Sequence, residues 1–318
     1  MSLLHISSIF SLISQSPMSK TKFYISIIFA MIFWSFSFIW TGMALESFPP
    51  VTLISLRLII ASLLMFLFAT LTKTIQPVKR TDIKWFVLLA FFEPFVYYIG
   101  ETYGLTMVAP TLASVIVSTL PLFAPFAALV LLRERISRNN MLGIIVSLVG
   151  VFLVAYEPSN ASSDYRGILL LFLAVFAAVC YSATLRKIPA HYSPMNIIFY
   201  QSLFGLIFFI PTFVLTDLKM VATLSVTSRA IGALLMLTVF ASIIAFVLFA
   251  GTVRKIGVAK SNVFVNLIPV FTAIFSWFIL DEQLTLVKWA GIAVVVSGLF
   301  VSQLGNKVVL NKKIKRKE

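Results

Sequence analysis

Residues 120–136 read LPLFAPFAALVLLRERI, and residues 268–284 repeat the pattern as IPVFTAIFSWFILDEQL, 148 positions further along the chain. Pro121 falls on Pro269, and the register continues to a charged end that changes from Arg-Glu-Arg to Asp-Glu-Gln. Lys and Arg mark the cytoplasmic ends of membrane helices, so the two copies are predicted to cross a bilayer in opposite directions. The sequence therefore predicts an inverted repeat.

The composition predicts an all-α polytopic membrane protein. The 318 residues are 60% hydrophobic and only 11% charged, which leaves too few polar side chains to cover a water-soluble domain. The apolar runs are about twenty residues long, which matches a hydrocarbon core of ~30 Å. We expect ten transmembrane helices in two inverted repeats of five. They cover residues 22–42, 51–72, 84–104, 109–132, 139–156, 166–186, 195–216, 229–252, 258–280 and 286–305.

The duplication divides the chain near residue 160, in the polar and turn-rich stretch EPSNASSDYRG. An odd number of crossings in each repeat inverts the second copy relative to the first, in agreement with the change of charge. The predicted organisation is a leader or cytoplasmic segment at 1–21, a first five-helix repeat at 22–156, a linker loop at 157–165, a second repeat at 166–305 and a basic cytoplasmic tail at 306–318.

The first seventeen residues, MSLLHISSIFSLISQSP, make a poor signal peptide because they have neither a positive start nor a clear cleavage site of small residues. Met18, followed by SKTK, is a more natural start. Residues 1–17 are interpreted as a misassigned upstream extension or as a disordered leader.

The net charge of +14 indicates a membrane orientation and not a nucleic-acid partner. With both termini placed in the cytoplasm, the inner side holds twenty of the twenty-five Lys and Arg residues and the outer loops hold four. This asymmetry predicts a multi-pass protein of the cytoplasmic (inner) membrane with both termini cytoplasmic. The tail NKKIKRKE is interpreted as a topological anchor, with contact to anionic lipid headgroups as the alternative.

The residues offer little for cofactor or metal chemistry. Cys180 is alone, His5 and His191 lie in a terminus and a loop, and the chain has no HExxH, P-loop or GxGxxG pattern. We expect no cofactor, no metal site and no enzymatic activity, so energy coupling would come from a gradient.

Two segments of the first half have copies in the second half, namely WSFSFIWTGMALESFPPVTLISLRLIIA (34–61) and STLPLFAPFAALVLLRERISRNNMLGIIVSLVGVFLV (118–154). The copy of the first segment is weaker than the copy of the second. Together they resemble the EamA repeats of the drug/metabolite transporter superfamily, over residues 22 to 305. The resemblance implies a ten-helix bundle with a central cavity, alternating access and transport of small metabolites, often the export of amino acids or related compounds. It also implies that the fourth and ninth helices face inward and that the fifth and tenth support them.

Arg57, Glu93 and Glu101 are the charged residues placed well inside predicted helices. An ionisable side chain in hydrocarbon costs at least ~2.5 to 3.5 kcal/mol, so such residues face a cavity or a partner. Arg57 and Glu101 are both expected near the outer surface, where they could pair. Such a pair would either lock two helices together or take part in gating or substrate binding.

Glu93 lies near the middle of the third helix, with no predicted cation at the same depth. Burial without a counter-ion favours the neutral carboxyl, which makes Glu93 a candidate site of proton coupling. Pro94 follows and is expected to kink the helix, and Tyr97 lies one turn further on, within hydrogen-bonding reach of the carboxyl. The alternative is a neutral Glu93 that bonds to a neighbouring helix for packing.

The repeat register proposes a second polar site, because Ser114 and Ser118 fall on Asn262 and Asn266. Two inverted polar pairs can meet at mid-membrane and bind a substrate, and an amide suits a zwitterion. The alternative is that these groups only join helices by hydrogen bonds.

Other residues are candidates for the walls of a cavity or for close packing. Trp34-Ser35 resembles Tyr181-Ser182, and the spacing from Pro50 to Arg57 recurs from Pro194 to Gln201. The aromatic and amide wall candidates are Trp34, Tyr97, Tyr98, Tyr181, Tyr200 and Gln201. A seam of close helix packing is predicted at Gly143, Gly150, Gly291 and Gly298.

The sequence therefore predicts a proton-coupled secondary transporter, most simply an exporter, of a small amino-acid-like or drug-like metabolite. Its expected partners are that substrate and membrane lipids. A homodimer is one alternative for its oligomeric state. A flippase or scramblase for a lipid-linked substrate is the alternative. An intramembrane enzyme that uses Glu93 and Glu101 is disfavoured, because eight residues separate the two carboxyls by about 12 Å along one helix.

Overall fold

The computed structural model describes residues 20–71, 74–123, 138–156, 164–185, 187–189, 191–256 and 264–314. Every regular element in these ranges is helical, which confirms the predicted all-α class. The predictions for residues 1–17, the Arg-Glu-Arg end of the first copy and Asn262 lie outside the described residues.

Ten helices carry the labels used below. Those of the first half are α1 (Lys20–Leu45), α2 (Pro50–Leu71), α3 (Ile83–Ala90, Phe91–Val96 and Tyr97–Leu105), α4 (Pro110–Ser118) and α5 (Arg138–Ala155). Those of the second half are α6 (Tyr165–Leu185), α7 (Pro194–Thr216), α8 (Ser228–Met236, Leu237–Ile244 and Ala245–Ile256), α9 (Ile268–Leu280) and α10 (Leu286–Ile314). A one-turn helix covers Leu218–Val221.

Seven helices of the described chain are long and apolar enough to cross a membrane, namely α1, α2, α3, α5, α6, α7 and α8. Three shorter apolar helices cover Pro110–Phe123, Ile268–Leu280 and Leu286–Ser302. Each predicted span overlaps one of these ten segments, but that all ten cross the bilayer stays a prediction.

Two predicted spans differ from the helices at their ends. The predicted span 258–280 was one unbroken helix, but the chain turns at Asn266 and Leu267. The helix α9 begins only at Ile268, with Pro269 in its first turn. Proline favours the first turn of a helix, where its missing donor costs nothing. The apolar part of α10 covers Leu286–Ser302, close to the predicted span 286–305, and the helix continues beyond it to Ile314. The basic residues that follow the apolar run are good helix formers.

Both copies of the third helix contain a π-helical segment at the same place in the repeat. These segments are Phe91–Val96 in α3 and Leu237–Ile244 in α8, and the shift of 148 positions carries the first onto residues 239–244. Within the first segment, Glu93 leaves the helical conformation (φ −144°, ψ 116°) ahead of Pro94. The second segment contains no proline. Within it, the Ser242 hydroxyl donates a hydrogen bond to the Leu237 carbonyl. Such π segments occur frequently at functional sites.

The fourth and ninth helices also break at equivalent points. A turn at Thr119 interrupts the helix that starts at Pro110, and a turn at Asn266 and Leu267 precedes α9. The shift of 148 positions places Thr119 on Leu267. The break directly precedes Pro121 in one copy and Pro269 in the other, and a proline cannot donate the backbone bond that would continue a helix through it.

The predicted glycine seam is confirmed between α5 and α10. A Cβ atom added to Gly143 would lie 2.6 Å from the Gly298 carbonyl, and one added to Gly150 would lie 2.7 Å from the Gly291 carbonyl. In the repeat register Gly143 corresponds to Gly291, and Gly150 corresponds to Gly298. Gly143 therefore packs on the counterpart of Gly150, and Gly150 packs on the counterpart of Gly143. The two equivalent helices therefore pack antiparallel about a local two-fold relationship, as an inverted repeat requires.

Candidate substrate cavity

A small cavity lies between α2, α3, α7 and α8. Its volume is about 20 Å³, which holds about one water molecule. The polar and aromatic side chains around it are Arg57, Tyr98, Gln201, Ser202 and Ser242. Apolar side chains and a proline complete the wall, namely Leu58, Ala61, Pro94, Ile198 and Phe246.

Arg57 is the charged residue of this cavity. Its side chain is 6% exposed, its Nε donates a hydrogen bond of 2.7 Å to Oγ of Ser242, and its Cζ lies 4.2 Å from the centre of the Tyr98 ring. The ring face attracts the cation, but neither contact supplies a negative charge. A guanidinium has five N–H donors, and the hydrogen bond to Ser242 uses one of them.

The expected ion pair between Arg57 and Glu101 is not formed. Among the described residues, the ion pairs within 4.0 Å join Arg229 to Glu46 and Lys288 to Glu282. Glu101 accepts a hydrogen bond of 3.0 Å from the Tyr97 hydroxyl instead, while Arg57 turns toward Tyr98 and Ser242. Each group thus has a nearer partner than the other, and the buried guanidinium has no carboxylate in contact.

Tyr97 does not bond to Glu93 as expected, because the backbone between them is not a regular helix. Tyr97 and Glu101 lie in the regular segment Tyr97–Leu105, where residues four apart share a face. Glu93 has an extended backbone in the π segment, which breaks that relationship. Among the described residues its carboxyl forms no hydrogen bond or ion pair. Pro94 beside it packs on Gly205 of α7, where a side chain would collide with the ring.

Gln201 and Tyr181, two of the predicted wall residues, contact each other. The Tyr181 hydroxyl donates a hydrogen bond of 3.1 Å to the Gln201 side-chain oxygen, which fixes the amide beside the cavity. Gln201 is the repeat counterpart of Arg57, and Ser242 is the counterpart of Pro94 at a shift of 148 positions. All four line the cavity, which therefore lies where corresponding positions of the two repeats converge.

Trp34 lies one layer behind the wall. Its ring centre is 5.2 Å from that of Phe246, which lines the cavity, and 5.0 Å from that of Phe249. Trp34 therefore supports the wall through Phe246.

Ser114, Ser118 and Asn266, three of the four residues of the predicted Ser and Asn pairs, do not line this cavity. The Ser114 hydroxyl donates to the Thr111 carbonyl and the Ser118 hydroxyl donates to the Val115 carbonyl, each at 2.8 Å and within α4. Short hydroxyl side chains can satisfy themselves on the carbonyls of the preceding turn, which removes their need for a partner across the bundle. Asn266 is 1% exposed, and neither atom of its amide has a hydrogen-bond partner.

Among the polar and aromatic residues of the cavity, three were not predicted from the sequence, namely Ser202, Ser242 and Phe246. Ser242 had a signal, since extending the repeat register from the paired prolines carries Pro94 onto it. Phe246 had the same signal, because the shift of 148 positions carries Tyr98, a predicted wall residue, onto it. Ser202 has no such signal, because serine is common in this chain.

Hydrogen bonds close both ends of the bundle around the cavity. At one end, Asp217 accepts from the backbone N–H and the hydroxyl of Thr52, at 2.7 and 2.9 Å. At the opposite end, Tyr192 accepts from the Lys79 backbone N–H at 3.0 Å and donates to Asp82 at 2.9 Å. These hydrogen bonds therefore tie the helices together at both ends of the bundle.

A largely buried carboxylate, Glu282, ties α4 to the loop between α9 and α10. The Thr111 hydroxyl donates to Glu282 at 2.8 Å, and the Lys288 ammonium lies 3.9 Å from the other carboxylate oxygen. Burial raises the pKa of Glu282, and these two neighbours oppose that rise. In the described ranges no group of three or more His, Cys, Asp or Glu residues is placed to hold a metal ion.

The chain resembles known transporters along most of its length. The sequence model of the EamA-like transporter family matches residues 21–156 and again residues 165–304. The protein named uncharacterized transporter YetK of Bacillus subtilis (strain 168) is 28% identical over 290 residues, which cover 89% of this chain and 87% of that protein. An uncharacterized transporter of Archaeoglobus fulgidus is 27% identical over 280 residues, which cover 88% and 98%.

The fold has a counterpart among solved structures. A crystal structure of a protein superposes with a TM-score of 0.64 over 90% of this chain and 99% of the other, at 16% sequence identity. With the two family matches, the apolar helices and the antiparallel glycine seam, these similarities identify a multi-pass membrane transporter. The chain belongs to the EamA-like transporter family.

Proposed function

We propose that the protein is a secondary active transporter that exports a small amphipathic metabolite bearing a carboxylate or a similar oxyanion across the cytoplasmic membrane. Transport is by alternating access and is coupled to protons. The observation that carries the proposal is the buried guanidinium of Arg57, which faces a cavity shared by both repeats and has no carboxylate of the described residues within 4.0 Å.

The electrostatics of Arg57 favour an anionic ligand. A buried charge is costly unless it is paired, and an arginine stays charged in a protein. A substrate carboxylate supplies the missing charge and accepts two parallel N–H bonds from the guanidinium. The Gln201 amide lies in the same cavity and offers donors to a second polar group of the substrate.

The remaining wall suits an apolar part of the substrate. Leu58, Ala61 and Ile198 offer aliphatic surface, and Phe246 offers an aromatic face. A small molecule with one oxyanion and an apolar body, such as an apolar amino acid or an aromatic acid, fits this division better than a polyanion, because one cation neutralises one charge.

The cavity must open to admit such a substrate. A space of about 20 Å³ holds a water molecule but no metabolite. The helices around it contain irregular points where movement is least costly, namely the two π segments of α3 and α8. The enclosed cavity with helix breaks in both repeats supports alternating access, in which each end opens in turn.

Glu93 is the proposed proton site. It lies in the π segment one residue from Pro94, which lines the cavity. A carboxyl without a fixed partner can take up or release a proton as its surroundings change. The proposed direction, export, rests on the resemblance to the EamA repeats.

The proposal is tested with matched ligands on the purified full-length protein. The probes are the apolar and aromatic amino acids and their 2-oxo acids, each measured beside the corresponding primary amide. A ligand at a hundred times its Kd stabilises the folded state by about 2.7 kcal/mol, which a thermal unfolding scan detects. We expect one or more acids to raise the apparent Tm and their amides to have no effect.

The variants Arg57→Gln and Arg229→Gln complete the test. Both remove one guanidinium, but Arg229 is half-exposed in an ion pair with Glu46, away from the cavity. We expect Arg57→Gln to lose the stabilisation by acids and Arg229→Gln to keep it. Equal effects of acids and amides, retained binding in Arg57→Gln, or no stabilisation by any acid would each overturn the proposed substrate class.

A further inference from the structure

An open groove of about 860 Å³ lies on the side of the bundle between α3 and α7, apart from the enclosed cavity. It is lined by Arg80, Ile83, Lys84, Trp85, Val87, Leu88, Phe91 and Phe208. None of these residues lines the enclosed cavity. The groove is a separate feature with its own chemistry.

The two cations stand at one end of the groove. Arg80 precedes α3 and Lys84 is in its first turn, so both lie where the apolar span begins. Both side chains are exposed, and in the described part of the chain neither forms an ion pair. The nearest acidic residue in sequence is Asp82, whose carboxylate accepts hydrogen bonds from Tyr192 and Thr81 and does not line the groove.

The rest of the groove is apolar and accessible from the side. Ile83, Leu88 and Phe91 are 37%, 37% and 38% exposed, and the rings of Phe91 and Phe208 form its floor with their centres 5.8 Å apart. Phe91 follows Lys84 by seven residues, which is about 10 Å along a helix. The groove thus carries positive charge at its membrane-surface end and hydrocarbon-like surface toward the middle of the span.

We infer that this groove binds an anionic phospholipid of the phosphatidylglycerol type. The phosphate lies between Arg80 and Lys84, and one acyl chain follows Leu88 to the floor formed by Phe91 and Phe208. Charge complementarity selects this occupant, because a zwitterionic lipid brings its own cation to a site that already holds two. Trp85 lies beside the phosphate level, as amphipathic rings do at membrane interfaces.

The bound lipid lies against the place where α3 changes form. Phe91 is the first residue of the π segment that contains Glu93 and Pro94. The acyl chain therefore packs on the outer side of this segment while Pro94 lines the enclosed cavity on the inner side.

Trp85 provides a probe of the site that does not depend on transport. The full-length protein is reconstituted in phosphatidylcholine vesicles that contain a minor fraction of brominated phosphatidylglycerol or, in parallel, brominated phosphatidylcholine. The same measurement on Trp85→Phe isolates the contribution of Trp85 from that of the other tryptophans. Two basic residues beside a phosphate give a preference of roughly thirtyfold for the anionic lipid, so quenching of Trp85 should saturate at a far lower content of brominated phosphatidylglycerol.

Two double variants separate the groove from the general charge of the protein. Arg80→Gln with Lys84→Gln removes both groove cations, and Arg138→Gln with Lys187→Gln removes two other exposed cations outside the groove. We expect the first pair to abolish the preference and the second pair to leave it unchanged, with helical circular dichroism equal in both.

Equal quenching of Trp85 by the two brominated lipids would overturn the inference. A preference that survives in the Arg80/Lys84 variant, or that falls equally in both double variants, would also overturn it. These outcomes do not involve Arg57 or any transported solute, so they are independent of the proposed function.

Discussion

The Nε of Arg57 donates a hydrogen bond of 2.7 Å to Oγ of Ser242, which joins α2 of the first repeat to α8 of the second across 185 positions of sequence. Ser242 lies within the π segment of α8, and Tyr98, which packs on the same guanidinium, follows the π segment of α3 by two residues. One cation therefore contacts the irregular region of both copies. We expect a ligand on Arg57 to bias the shape of both helices together.

Replacing Glu93 by glutamine is expected to uncouple transport from the proton gradient. The amide keeps the shape of the carboxyl but cannot exchange a proton. In proteoliposomes, with the acid that best stabilises the protein as the solute, accumulation driven by a pH gradient should fall to that of protein-free vesicles. Exchange of labelled for unlabelled solute without a gradient should continue. Undiminished gradient-driven uptake by Glu93→Gln would remove Glu93 from the coupling step.

The glycine seam between α5 and α10 should tolerate no added carbon. A Cβ at Gly150 would lie 2.7 Å from the Gly291 carbonyl, from the Val295 backbone nitrogen and from a Val295 methyl group. Two helices must separate to admit it, so Gly150→Ala should lower the free energy of unfolding by about 1 to 3 kcal/mol. In a thermal scan each kcal/mol lowers the apparent Tm by about 2 to 4 °C.

Gly232→Ala is the matched control for the seam. Gly232 lies in the first segment of α8, and an added Cβ there meets no atom within 4 Å. The same change should stabilise that helix by up to about 1 kcal/mol, because alanine is the better helix former. If Gly150→Ala and Gly232→Ala shift the Tm alike, close packing is not what the seam glycines provide.

The stability of the protein should depend on pH through Glu282, in the loop between α9 and α10. Burial raises the pKa of this carboxyl above its ordinary value, so the folded state binds its proton more tightly than the unfolded chain does. The resulting stabilisation is fully present below the ordinary pKa of a glutamate and is lost as the pH rises through the raised value.

Glu282→Gln should flatten this part of the pH profile. As the pH rises above the ordinary pKa of a glutamate and through the raised pKa of Glu282, the apparent Tm of the wild-type protein should fall relative to that of the variant. Glu46→Gln, which removes a half-exposed carboxylate, controls for the general change of charge. A wild-type profile parallel to that of Glu282→Gln, or one that rises with pH relative to it, would contradict the assignment.

Much of the architecture could be predicted because membrane insertion leaves a strong local signal. Each predicted apolar span overlaps a helix of the described residues, and the prolines at positions 50, 110 and 194 mark helix starts. The glycine seam could be located because its glycines recur seven positions apart in each copy and match at the shift of 148 positions, which the sequence alone shows. The breaks before Pro121 and Pro269 occupy matching positions for the same reason.

Individual contacts of the site were less predictable. The sequence places Arg57 and Glu101 at similar depth in the membrane, but depth alone does not determine the orientation of a side chain. In the structure Arg57 contacts Ser242 and Tyr98. The pairing of Glu93 with Tyr97 assumed that the two residues share a helix face despite the expected kink at Pro94, and the extended backbone at Glu93 breaks that relationship. Ser114 and Ser118 could bond within their own helix or across the bundle, and geometry alone decided for the helix.

The sequence by itself determined the helical class, the duplication and the placement of ionisable residues within apolar segments, because hydrophobic length and repeat register are properties of the chain in order. Only the tertiary structure decided that Arg57, Gln201, Pro94 and Ser242 surround one cavity. Residues from four helices meet there only after the two repeats have packed together. Their convergence depends on helix rotation and on the two π segments, neither of which is encoded in the hydrophobic pattern.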